Sequence, residues 1–135
     1  MDDNKTQRLL TGNMKYAVVG ASNNMEKYGA KVYARLKQLG YVVYPINPRE
    51  ELVQGDKAYE NLYQLPEQVD VLNFVVPPDI ALKVTQTALD IGYKNFWYQP
   101  GSYNKEIIEL HKQMGTTAIT DQCILIETQD RALMD

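Results

Sequence analysis

The sequence predicts a three-layer α/β fold, a five-stranded, mainly parallel sheet with helices on both faces. Short apolar runs alternate with segments of helical spacing, which is how buried parallel strands and their covering helices read. The runs stop at glycine or proline, as strands and helices do at their ends. No repeat, low-complexity tract or linker breaks the alternation, so one domain over residues 1–135 is expected, with 1–13 as an N-terminal extension.

Taken in order, residues 7–10 are expected to form a short helix within that extension. The first strand is Tyr16-Ala17-Val18-Val19, ending at Gly20. A polar turn follows, then Val32, Leu36 and Leu39 at i, i+4, i+7, a helix that Gly40 closes. The second strand, Tyr41-Val42-Val43-Tyr44-Pro45-Ile46, is rich in β-branched and aromatic residues and stops at Asn47-Pro48. Residues 60–65 read as a minor helix, and 69–76 as a third strand stopped by Pro77-Pro78. Ala81, Val84, Ala88 and Ile91 make one apolar helical stripe, closed by Gly92. A fourth strand covers 95–98 and ends before Pro100-Gly101. Ile107, Leu110 and Met114 mark the face of a helix that ends at Gly115, and 117–120 supplies a fifth strand.

Composition narrows the partners. The 14 Lys and Arg stand against 17 Asp and Glu, for a formal net charge of -3, so no broad cationic field exists to hold nucleic acid or an anionic membrane. The single cysteine, Cys123, cannot form an intramolecular disulfide, and Met1 to Asn13 lacks the basic and apolar regions of a signal peptide. The expected location is the cytoplasm. One Cys and one His without clustered carboxylates do not assemble a closed zinc site.

Ligands of parallel sheets bind beyond the carboxyl ends of the strands, so the chemistry is sought there. The first strand ends in Gly20-Ala21-Ser22-Asn23-Asn24, with Lys27-Tyr28-Gly29 leading into the helix. Free backbone N–H groups and the positive end of a helix suit a phosphate at that place. A G-x-G-x-x-G fingerprint would put glycine at position 22, where this chain has Ser22, and its next glycine is Gly29. The second strand ends in Asn47-Pro48-Arg49, whereas NAD sites usually present an acid there. Arg49 suits a ribose phosphate, as in NADP or coenzyme A, although Glu50 and Glu51 lie just beyond and a solvated surface role is the plain alternative. Val76 and Pro77-Pro78 offer a rigid apolar wall for an adenine face or a pantetheine chain, or simply a strand stop and helix start. Gln99-Pro100-Gly101-Ser102 is either a ligand contact or an ordinary turn.

These motifs together resemble a known family. Val18-Val19-Gly20-Ala21-Ser22, Lys27-Tyr28-Gly29, Tyr44-Pro45-Ile46-Asn47-Pro48-Arg49, Val75-Val76-Pro77-Pro78, Gln99-Pro100-Gly101 and Asp121-Gln122-Cys123-Ile124 look like the small bacterial proteins of the CoA-binding domain family, in matching order from Lys15 to Glu127. The same stretch is similar to the CoA-holding domain of the succinyl-CoA synthetase alpha subunit. The resemblance implies a five-stranded Rossmann-like fold, with coenzyme A or an acyl-CoA over the Gly20 loop, the Asn47 to Arg49 turn and the Pro77-Pro78 turn.

No nucleophile and base pair is visible, and the only histidine, His111, falls within a helix away from the strand ends, where a surface or packing role is expected. Cys123 follows the fifth strand and is either an inert core thiol or a group near the ligand's own thiol. The tyrosines, including Tyr33, Tyr44 and Tyr98, are expected in the core and on the sheet, with Tyr28 alone near the loop. The leading expectation is a binding module acting as carrier, sensor or regulatory subunit. An NADP-dependent oxidoreductase is the alternative, and a subunit completed by a separate ligase-type protein a third reading.

Overall fold

The computed structural model describes residues 2–130, and side-chain surroundings from residue 5 onward. Five parallel strands form the main sheet: β1 (Lys15–Val19), β2 (Val42–Ile46), β5 (Val71–Phe74), β6 (Asn95–Tyr98) and β7 (Thr117–Ile119), in the order β2-β1-β5-β6-β7. The chain therefore steps from β1 to one side, then crosses back over it to the other. The ladder sets Val19 beside both Ile46 and Phe74, so three strand ends lie level at one edge. A two-stranded hairpin, β3 (Leu52–Val53) and β4 (Asp56–Lys57), stands apart from the sheet.

Alternation along the strands divides the apolar residues between two layers. Tyr16, Val18, Val71 and Trp97 face one cluster, which α1 (Asp2–Leu9), α2 (Tyr28–Gln38) and α5 (Ile124–Glu127) cover through Leu9, Val32, Leu36 and Ile124. Ala17, Val19, Phe74 and Phe96 face the other, covered by α3 (Pro78–Ile91) and α4 (Lys105–Met114) through Ala81, Ala88 and Ile107. Phe74 stacks on Tyr98 at 4.6 Å between ring centroids, within the offset range that favours aromatic pairs. No helix among the described residues is long and apolar enough to cross a membrane.

Several elements differ from expectation, each for a local reason. The second strand begins at Val42, because the Tyr41 N–H returns to the Leu36 carbonyl at the end of α2 (3.2 Å) instead of joining the ladder. The third strand is only Val71–Phe74, and the last bond along that edge runs from Val75 N–H to the Val19 carbonyl. The minor helix at 60–65 is a single 3₁₀ turn, Leu62–Gln64, capped by the Asn61 side chain, which accepts from the Tyr63 N–H. The N-terminal helix spans Asp2–Leu9 rather than 7–10. Residues 1 and 131–135 of the expected single domain lie outside the described residues.

On α4 the expected apolar face is wrong by one position. Met114 is 54% exposed, while His111 is buried beside Ile107. The polar ring is tolerated inside because both of its nitrogens are partnered: Nε2 with the Tyr98 hydroxyl at 2.7 Å and Nδ1 with the Thr116 hydroxyl at 2.6 Å. Tyr98 in turn meets Thr85 at 2.6 Å, a polar chain linking α3, β6 and α4. Burial pushes the His111 pKa down to about 4, so the ring is neutral at pH 7. Of the surface and packing roles expected of His111, its burial and these two partners fit packing.

Candidate functional site

The reversal of strand order between β2 and β5 leaves a crevice at the carboxyl edge of the sheet, the place where open α/β folds bind ligands. A cleft of about 760 Å³ lies there, within the size range of small-molecule sites. Gly20 and Ser22 from the β1 loop form one part of its wall, and Lys27, Tyr28 and Gly29 at the start of α2 form the next. Asn47, Pro48 and Arg49 at the end of β2 close a second side, and Val76 and Pro77 after β5 a third. The sequence motifs at three strand ends thus converge on one cavity.

Two glycines set how closely its walls meet. Gly20 has φ of 100°, and a Cβ there would lie 2.3 Å from the Val75 carbonyl oxygen. At Gly29 a Cβ would lie 2.0 Å from the Gly20 carbonyl oxygen, so the first turn of α2 packs directly on the end of β1. This close helix–strand approach is the role that the last glycine of a dinucleotide fingerprint performs. Here the spacing from Gly20 is longer, which is why the fingerprint does not match.

The loop is held from behind. The Asn47 side-chain amide donates to the Ala21 carbonyl (2.9 Å), and its oxygen accepts from the Arg49 N–H (2.8 Å), which joins the ends of β1 and β2. Gly20 N–H donates to the Ile46 carbonyl across the same gap. The N–H groups of Ala21, Ser22 and Asn23 have no acceptor among the described residues. The first N–H groups of α2 and α3 are likewise without side-chain caps, at Lys27 and Pro77 respectively. By contrast α4, away from the cleft, is capped by Asn104, whose oxygen accepts from the Ile107 N–H at 3.0 Å. The cleft therefore gathers unpaired donors and two positive helix ends, a setting for an anion.

Other sequence candidates lie outside its wall. Ala21 is fully buried beneath the loop. Asn23 turns away, donating to the Leu52 carbonyl (2.8 Å) and accepting from the Gln54 N–H (2.6 Å). Pro78 is the first residue of α3. Gln99 is buried, donating to Asn73 Oδ1 (2.9 Å) and accepting from the Ile124 N–H (3.0 Å). Pro100 and Gly101 form an exposed turn beyond β6. Cys123 is half-buried at the N-terminus of α5. These last groups sit at the β6 side of the carboxyl edge, past the cleft itself.

The cleft also has a wall that the motifs did not reveal. Ile80, Lys83, Val84 and Thr87 of α3 line it, opposite Asn61 and Leu62. Val84 belongs to the apolar stripe that the sequence marks, whereas Ile80, Lys83 and Thr87 lie on the more polar neighbouring face, which apolar periodicity does not pick out. Lys83 adds a third cation to Lys27 and Arg49, while Glu50 and Glu60 supply acids at the rim. Among the described residues no group of His, Cys, Asp and Glu is arranged to hold a metal.

The family model of the CoA binding domain matches residues 14–129. The chain is 35% identical over 122 residues to the alpha subunit of an ADP-forming acetate–CoA ligase II from Pyrococcus furiosus, a match that covers 80% of this chain and 26% of that subunit. It thus spans about a quarter of the ligase subunit it matches. The Bacillus subtilis protein YneT is 28% identical, with 89% of each chain covered. Among solved structures, a conserved hypothetical protein from Pyrococcus furiosus superposes with a TM-score of 0.81 at 39% identity, covering 85% of this chain and 99% of that one. A hypothetical protein from Pyrococcus horikoshii reaches 0.87 at 30% identity, covering 96% and 90%. With the family match running from the residue before β1 to two residues past α5, the chain belongs to the CoA-binding domain family.

Proposed function

We propose that the chain binds coenzyme A in this cleft and holds it without transforming it, as a carrier, sensor or regulatory module. The observation that carries the reading is the convergence of unpaired N–H donors from the Gly20 loop, α2 and α3 on one cavity. In the proposed pose the diphosphate lies over β1 between the two helix ends. Arg49 at the end of β2 takes the 3′-phosphate, its planar fork matching two phosphate oxygens. Adenine, one glycosidic bond from that ribose, fills the apolar groove among Ile46, Leu62, Ile80 and Val84. The pantetheine arm then leaves toward the β6 side, where Gln99-Pro100-Gly101 and Cys123 lie.

The donor set fits such a ligand. Backbone N–H groups and three cations suit phosphates, and the apolar groove suits a flat base. The holding role is supported by the lining residues, among which no nucleophile is paired with a base, while His111 is committed to Tyr98 and Thr116 in the core. Any ligase chemistry would need residues from another protein or domain.

A thermal-shift panel with coenzyme A, acetyl-CoA, dephospho-CoA, NAD and NADP tests the reading. Ligand at a hundredfold excess over Kd stabilises the native state by about 2.7 kcal/mol. For a chain of this size that raises Tm by roughly 8 °C. Coenzyme A is expected to stabilise more than dephospho-CoA, and Arg49→Ala to erase most of that difference. Stabilisation by NADP and not by coenzyme A would overturn the proposal.

A further inference from the structure

Gln54 is the only non-glycine residue at positive φ (50°) among the described residues. It shares the two-residue turn of the β3–β4 hairpin with Gly55, whose φ is 86°. Two positive φ values in succession are the pattern of a type I′ turn, where asparagine and glycine are the comfortable residues. Glutamine is strained there, and it cannot complete the short local bonds by which asparagine settles into this conformation.

Its side chain instead reaches outward. Gln54 Nε2 donates both to the Ser22 carbonyl (3.1 Å) and to the Ala30 carbonyl (3.0 Å). Its own N–H donates to Asn23 Oδ1 (2.6 Å), and Asn23 Nδ2 returns to the Leu52 carbonyl (2.8 Å). The hairpin is itself fastened to α2: Asp56 Oδ2 accepts from the Tyr33 hydroxyl (2.6 Å) and pairs with Lys37. One amide therefore ties the β1 loop to the first turn of α2, from a rigid mount outside the cleft wall.

The tie acts on the donors. In a planar trans peptide the carbonyl of Ser22 and the N–H of Asn23 point opposite ways, so a carbonyl held toward Gln54 turns that N–H away from it. Asn47 does the same for the next peptide by holding the Ala21 carbonyl, which turns away the Ser22 N–H. The Gln54 bridge also sets the spacing between the loop N–H groups at 21–23 and the helix N–H groups at 28–30.

We propose that Gln54 is a positioning residue for the ligand's diphosphate, holding the loop and the α2 terminus at the separation that lets both sets of donors reach it. This rests on the coenzyme A reading above. It predicts that affinity falls while stability stays nearly level. Gln54→Gly relaxes the turn and removes the amide, and Gln54→Asn suits the turn with a side chain one methylene shorter.

Isothermal titration of wild type and both variants with coenzyme A and dephospho-CoA, alongside melting without ligand, tests the proposal. Both variants should melt within a few degrees of wild type, because the relaxed turn offsets the two lost bonds. Their Kd should rise about five- to tenfold, the worth of a net hydrogen bond or two, and equally for both ligands because the 3′-phosphate is not involved. Wild-type binding with unchanged variant affinities would overturn this inference alone, as would variants whose only change is a lower Tm. Absence of binding by the wild type would sink the coenzyme A reading, and this inference with it.

Discussion

Replacing Gly29 by alanine tests the close packing of α2 on the end of β1. The new Cβ would lie 2.0 Å from the Gly20 carbonyl oxygen and 3.6 Å from the Ala21 Cα. Ordinary contact begins near 3.4 Å, so the start of α2 must retreat from β1 by about 1.4 Å. The obstacle is backbone and cannot swing aside like the tip of a side chain. Overpacking of this kind costs up to about 3 kcal/mol. The better helix propensity of alanine returns up to ~1 kcal/mol. A net loss of roughly 2 kcal/mol corresponds to a Tm lower by roughly 6 °C for a domain of this size. Gly12→Ala is the control, because nothing lies within 4 Å of its added Cβ. Circular-dichroism melts would measure both, with and without coenzyme A. The same retreat pulls the α2 donors from the loop, so the stabilisation by ligand should shrink too. A Gly29→Ala protein that melts and binds like wild type would refute the packing argument.

The core histidine makes stability depend on pH. The unfolded ring titrates near the ordinary value of 6.5, while burial pushes the folded one down to about 4. Between these values the unfolded chain binds the proton that the folded chain refuses, so stability is full above pH 6.5 and is lost as pH falls toward 4. The loss across that window is on the order of 3 kcal/mol, readable by urea unfolding, and His111→Gln should flatten the slope although it lowers stability throughout. The two faces of α4 give a further contrast: Ile107→Ala, at a fully buried site, should cost about 2–5 kcal/mol in the same assay. Met114→Lys, at an exposed one, should change stability by less than about 0.5 kcal/mol.

Much of this arrangement was legible because the signals were local. Strand β6 runs over the residues that its apolar pattern marks, Asn95–Tyr98, and the αL glycines Gly92 and Gly115 end α3 and α4 as their positions predict. The strand-end motifs were visible because turn chemistry is written in a few adjacent residues. What escaped depends on contacts between distant segments. Nothing near Gln54 announces that its amide spans Ser22 and Ala30, 32 and 24 residues away. His111 reads as a polar helix residue until Tyr98 and Thr116 are seen around it. The hairpin strands are two residues each, too short for any alternation to show. The α3 wall of the cleft was hidden because one helix carries two stripes, and periodicity favours the more apolar.

The most direct test of the account is a two-dimensional ¹⁵N–¹H correlation spectrum of the protein titrated with coenzyme A. The largest amide shifts are expected at residues 20–23, 28–30, 47, 49 and 79–80, in the β1 loop, at the starts of α2 and α3 and at the end of β2, with smaller shifts along Ala81 to Thr87. Shifts confined to the groove between Lys5 and Gln122, or none at all with ligand in excess, would contradict it.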